Sequence, residues 1–109
     1  MDESTEKKLN ELSVLEQNLQ FVLSQKNNFS TQLLEIESAL SQIKEGSSSY
    51  RIVGSIMVEQ SYDKIKSFLD EKKNALESRI KSLESREKSF KEKVEDLQAV
   101  VLKEFEKER

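Results

Sequence analysis

Ser61-Tyr62-Asp63-Lys64 matches the Ser-x-x-Lys of penicillin-binding enzymes, a pairing of hydroxyl and amine that serves acyl transfer. Its companion motifs are absent, so the match carries no catalytic prediction. The chain has no His and no Cys. It therefore offers no imidazole base near neutral pH, no thiol nucleophile, no zinc knuckle and no disulfide. No glycine-rich phosphate loop occurs. The expected result is a protein that is not an enzyme and takes no cofactor and no metal. Asn28-Phe29-Ser30 is a formal glycosylation triplet, but Phe29 falls on an apolar helix seam and the triplet is read as chance.

The elements that carry these residues are simple. The 109 residues are 36% charged, with two Gly, no Pro and a mean hydropathy of -0.70. That composition suits long helices with a thin apolar seam rather than a thick core. The polar, acidic start Met1-Asp2-Glu3-Ser4 is neither a signal nor a transit peptide, and the expected compartment is the cytoplasm. No apolar run approaches the ~20 residues that span a bilayer, so no membrane role is expected. A net charge of -3 with interspersed signs leaves no basic stripe for nucleic acid. Charged runs such as Lys91-Glu92-Lys93 read as a solvated helix face.

A first helix is predicted over residues 4–45. Its seam steps by threes and fours through Leu12, Leu15, Leu19, Val22, Lys26, Phe29, Leu33, Ile36, Leu40 and Ile43. Gly46 is placed as the residue that ends it, with Ser47-Ser48-Ser49 as a connector. A second helix is predicted over 61–107, with Ser61 as N-cap and Asp63 in the first turn. Its seam reads Ile65, Leu69, Lys72, Leu76, Ile80, Leu83, Glu87, Phe90, Val94, Leu97 and Val101, with a stutter at Leu76. Folded back antiparallel, the seams pair Leu40 with Leu69, Leu33 with Leu76, Phe29 with Ile80, Leu19 with Phe90, Leu15 with Val94 and Leu12 with Leu97. Met1 and Arg109 then meet at the far tip. In this register the Lys26 and Glu87 heads either meet across the seam or each extend to solvent with their stems packed, and the cross-helix pair is the reading preferred.

Between the helices, residues 50–60 read as a β-hairpin with Gly54-Ser55 as a type II′ turn. Val53, Ile56 and Val58 fall on one face, and Tyr50, Ile52 and Met57 on the other. A two-stranded hairpin is marginal alone, and its open edges invite other strands. Tyr50, Ile52, Val53, Gly54, Ile56, Met57 and Val58 are therefore the expected subunit interface. A second apolar excess lies where the two chain ends meet: Leu9, Leu12 and Val14 with Leu97, Val100, Val101, Leu102 and Phe105. It reads either as a widened or frayed seam or as a binding patch.

With helix, hairpin and helix in place, the chain resembles the β-class subunits of prefoldin. The residues that carry this are Tyr50-Arg51-Ile52-Val53-Gly54-Ser55-Ile56-Met57-Val58, Leu69-Asp70-Glu71-Lys72-Lys73, and Leu76-Glu77-Ser78-Arg79-Ile80-Lys81-Ser82-Leu83-Glu84, with Gln25-Lys26 in the first helix. The resemblance covers residues 12–101, and the single hairpin resembles the β class. It implies an all-α dominated fold, one domain over 1–109, with the hairpin joining an intersubunit β-barrel platform. It implies an archaeal-like, ATP-independent co-chaperone: a hexamer of two α-class and four β-class subunits. Coil tips would hold unfolded proteins and deliver them to a group II chaperonin. The rival reading is a structural coiled-coil adaptor that assembles through the hairpin without binding clients.

Overall fold

The computed structural model describes residues 2–107. The expected meeting of Met1 with Arg109 lies outside the described residues. Two long helices enclose one two-stranded sheet in the order α1 (Glu3–Gln42), β1 (Ser49–Val53), β2 (Ile56–Gln60), α2 (Tyr62–Lys107).

The ends of each helix follow from local chemistry. Asp2 caps α1: its Oδ1 accepts the Thr5 backbone N–H at 2.8 Å, which starts the helix a residue earlier than predicted. Glu3 and Glu6 sit in the first turn, where the helix dipole favours carboxylates. At the other end the prediction of residue 45 is corrected, because α1 stops at Gln42. The Ser41 hydroxyl donates to the Ser38 carbonyl at 2.7 Å, the kind of side-chain bond that competes with helix continuation. The Lys44 carbonyl then accepts from the Ser47 N–H at 3.1 Å, and Gly46 takes φ +84° inside that turn. Gly46 thus shapes the connector rather than ending the helix directly. Ser61 caps α2 as predicted, its Oγ accepting the Lys64 N–H at 3.3 Å, with Asp63 in the first turn.

The sheet has the expected antiparallel register: Val53 opposite Ile56, Ile52 opposite Met57, Arg51 opposite Val58, Tyr50 opposite Glu59, extended by Ser49 opposite Gln60. Gly54 has φ +62°, and among the described residues no other residue type takes a positive φ, so Ser55 has a negative one. That combination is a type II′ turn, whose first central position only glycine fills without strain.

The chain divides into two compact units. The hairpin unit spans Asn28–Ile80. Ile65, Leu69 and Leu76 of α2 are buried there, against half-buried Phe29, Leu33, Ile36, Leu40 and Ile43 of α1. The Arg79 guanidinium lies 5.5 Å from the centre of the Phe29 ring, which ties the two helices. Lys72 departs from its predicted seam place: it is exposed, with its ammonium 5.1 Å from the Phe68 ring. A long cationic stem can lie along apolar surface while its head stays wet.

The terminal unit comprises the described parts of Met1–Asn27 and Lys81–Arg109. Its buried seam is Val22, Leu83, Val94 and Val101, flanked by half-buried Leu12, Leu15, Leu19, Phe90 and Leu97. Thr5 and Lys8 meet Glu104, and Lys26 meets Glu87, so the two helices run antiparallel in this unit. Thr5 is fully buried, yet its hydroxyl is satisfied by donating to Glu104 Oε2 at 2.5 Å.

Candidate functional site

The hairpin is the more conspicuous candidate. Ile52, Met57 and Ile56 are 70%, 66% and 64% exposed, and Tyr50 and Val53 are more than half exposed. Val58 is 40% exposed and Gly54 sits bare at the turn. Cross-strand partners share a face, so the apolar surface is double-sided: Tyr50, Ile52 and Met57 on one side, Val53, Ile56 and Val58 on the other. Six of the seven residues predicted as interface thus lie on one short sheet, and Gly54 lies in the turn that joins its strands. One side chain anchors that sheet locally. The Arg51 guanidinium stacks 3.8 Å from the centre of the Phe68 ring on α2. Ser49, two residues earlier and on the same face as Arg51, is buried.

The terminal unit brings the other predicted residues to its two helices and divides them. Leu9, Leu12 and Leu97 are half-buried and Val101 is buried, so these face the opposing helix. Val14, Val100, Leu102 and Phe105 are exposed. These four stand open to solvent, and the other four support the seam beneath.

Polar pairs fix this unit. The Lys26 ammonium donates to Glu87 Oε1 at 2.5 Å, and Lys91 reaches Glu87 Oε2 at 3.4 Å from one turn along α2. The bond from Lys26, and its charge, hold the Glu87 carboxyl below its ordinary value. Glu104 receives Lys8 at one oxygen and Thr5 at the other, and these two bonds lower its carboxyl in the same way. The Lys26–Glu87 contact was legible from the seam positions; the Thr5–Lys8–Glu104 cluster was not, since none of the three lies on the predicted seam.

Sequence reasoning also passed over Phe21 and Leu34, which are 60% and 67% exposed on α1. Each stands one residue from a seam position, Val22 and Leu33, and a large apolar residue off the three-and-four step is the signal that identifies them. Among the described residues no cluster of His, Cys, Asp or Glu could hold a metal, and no helix is long and apolar enough to cross a membrane.

Comparison with known proteins agrees with this geometry. A family model described as "Prefoldin subunit" matches residues 6–108. Proteins named prefoldin subunit beta from two strains of Halobacterium salinarum are 40% identical over 70 residues, which covers 62% of this chain. The aligned stretch spans 56% of the length of those relatives. The crystal structure of the prefoldin beta subunit from Thermococcus strain KS-1 superposes with a TM-score of 0.84 at 31% identity, covering 92% of this chain and 90% of that one. Two helices joined through one β-hairpin, matched over nearly their whole length by a beta subunit, place this chain in the prefoldin family of chaperone subunits.

Proposed function

We propose that this chain is the β-class subunit of an ATP-independent holding chaperone. It assembles through its hairpin with α-class prefoldin subunits, in a hexamer of two α and four β chains whose hairpins close into a β-barrel platform. The observation that carries this reading is the bare, double-sided apolar sheet. A hairpin of this kind is marginal alone, and closing it into a barrel removes its edges. The chain works as a single prefoldin-like domain in the cytoplasm.

The second half of the reading concerns clients. Val14, Val100, Leu102 and Phe105 are apolar and exposed among charged neighbours. One such patch binds weakly, but several arms acting on one unfolded chain raise the effective concentration and with it the overall affinity. Clients so held pass to a group II chaperonin. No hydrolytic step is needed for capture, since exposed apolar segments drive it.

The test mixes this chain with an α-class prefoldin subunit, measures the assembly mass, and follows aggregation of a chemically denatured protein without ATP. A mass of six subunits with suppressed aggregation is expected. Assembly without suppression would leave the adaptor reading in its place, and no assembly would remove both.

A further inference from the structure

A groove of about 590 Å³ in the hairpin unit runs beside β1. Ser49, Tyr50, Arg51 and Ile52 all line it, and no residue of β2 does. Successive strand residues point to opposite faces, so a groove touched by four in a row follows the strand's edge. It is the edge away from β2, where the backbone N–H and C=O groups have no partner strand.

The charge of this groove is one-sided. Lys44, Arg51 and Lys72 line it and no carboxylate does, in a chain with 21 acidic and 18 basic residues. Arg51 and Lys72 both direct their cations at one ring, Phe68, at 3.8 and 5.1 Å from its centre. Neither forms an ion pair among the described residues. Two like charges gathered on one aromatic ring repel, and an anion beside them would relieve that. The walls around the cations mix apolar side chains, Ile43, Ile52 and Phe68 among them, with polar Gln42 and Ser49. A strand brings backbone groups for the open edge, apolar side chains for Ile52 and Phe68 and a carboxylate for the cations, whereas a small hydrated ion answers only the charge.

A second copy of this chain cannot supply that strand. β1 contains no carboxylate, and the one carboxylate of β2, Glu59, lies opposite Tyr50 on the face away from Arg51. In a closed barrel every hairpin keeps the same face inward. Glu59 of another copy would therefore stay on the wrong side. We infer that the groove along the free edge of β1 receives a carboxylate-bearing edge strand of an unlike neighbouring subunit, and that Arg51 and Lys72 thereby favour mixed over self-assembly. This rests on the hairpin-assembly reading above and adds the partner's chemistry to it.

The experiment uses the full chain and, as probe, an α-class prefoldin subunit. Sedimentation gives the concentration midpoint of mixed assembly, and of self-association of this chain alone, at low and high salt. Arg51→Gln/Lys72→Gln should raise the mixed-assembly midpoint about tenfold or more, flatten its salt dependence, and leave self-association unchanged. Arg51→Lys/Lys72→Arg keeps the charges and should restore most of the loss; circular dichroism checks that each variant is folded. An unchanged midpoint with unchanged salt dependence overturns the inference. So does an equal loss of mixed and self-assembly, which would mean general damage to the hairpin. Ile56→Lys separates the two claims. If it abolishes mixed assembly while Arg51→Gln/Lys72→Gln does not, only the charge inference falls; if it leaves assembly intact, the hairpin-assembly reading falls as well.

Discussion

The two units of this chain differ in what their cations meet. In the terminal unit the cross-helix cations meet carboxylates: Lys8 meets Glu104 and Lys26 meets Glu87. In the hairpin unit the cation that crosses between helices, Arg79, meets the Phe29 ring, and Arg51 from β1 and Lys72 from α2 meet the Phe68 ring, while Lys66 and Asp70 pair on the surface of α2 alone. A carboxylate neutralises a cation, whereas a ring accommodates it and leaves the charge available. The apolar surface differs in parallel. The hairpin unit exposes a continuous sheet on both faces, while the terminal unit exposes separate side chains over a closed seam. The cross-helix contacts of the terminal unit are therefore electrostatically complete within one chain, whereas on the function proposed above the hairpin unit is completed by another.

That contrast is broken most severely at the sheet. Ile56→Lys/Val58→Lys would place two ammonium groups in the surface that the proposed assembly buries, where an unpaired charge is strongly unfavourable. Assembly mass should fall to that of the free chain while the helical signal is largely retained. A variant that still assembles would show that the exposed sheet is not the contact. In the terminal unit, Val14→Ser/Leu102→Ser/Phe105→Ser should leave both fold and assembly in place, since each residue is exposed and such changes alter stability by roughly 0.5 kcal/mol or less. Suppression of client aggregation should drop several-fold. Undiminished suppression would move client capture away from these side chains, and exposed Phe21 would be the next to substitute.

An intermediate effect is expected from the seam. Leu83 is buried in the terminal unit, and Leu83→Ala should cost about 2–3 kcal/mol through lost burial and a residual cavity. Thermal unfolding should shift down with the assembly mass unchanged at room temperature. A loss below about 0.5 kcal/mol would show that the seam repacks around the gap. Gly54→Ala should cost about 1–2 kcal/mol of hairpin stability, because its φ of +62° is one that a Cβ resists. It should weaken assembly without touching the terminal unit.

Much of this was legible in the residues because the rules involved are local or periodic. Apolar steps of three and four placed the helices, and Gly54-Ser55 fixed every pair of the hairpin register. Lys26 and Glu87 were legible as a pair because both interrupt an apolar seam. What escaped depended on side chains reaching across the fold. Arg51 pairs opposite Val58 in the sheet, and nothing in its spacing announces that its guanidinium turns onto Phe68, seventeen residues on. Lys72 occupies a seam step by count but sits exposed, because its stem allows it to. A glycine at 46 suggests a helix end, but α1 ends at Gln42 and the glycine lies in the turn that follows, closed by the Ser47 N–H on the Lys44 carbonyl. Among the terminal apolar residues, pattern alone grouped Val101 with Leu102; the structure buries the first and exposes the second.

The smallest expected effect is the sharpest test of the contrast between the units. Lys26 and Glu87 are half-buried and bonded across the helices, whereas Lys66 and Asp70 form an exposed pair within one helix at 2.9 Å. Exposed pairs of the second kind contribute little. A double-mutant cycle on Lys26→Met and Glu87→Leu should give a favourable coupling larger than the same cycle on Lys66 and Asp70. Its pH dependence has a definite sign. The bond from Lys26 lowers the Glu87 carboxyl below its ordinary value of 4.5, so the unfolded chain takes up a proton at this site before the folded one does. The pair's contribution is therefore complete above that ordinary value and declines as pH falls through the depressed one. Glu104, lowered by Lys8 and Thr5, follows the same course. The wild-type melting temperature should accordingly fall more steeply on acidification than that of Glu87→Leu, and the coupling should shrink in the same range. A coupling that is zero at neutral pH, or that persists unchanged once Glu87 is protonated, would mean that packing alone holds the register, and the terminal unit would lose its claim to electrostatic completeness.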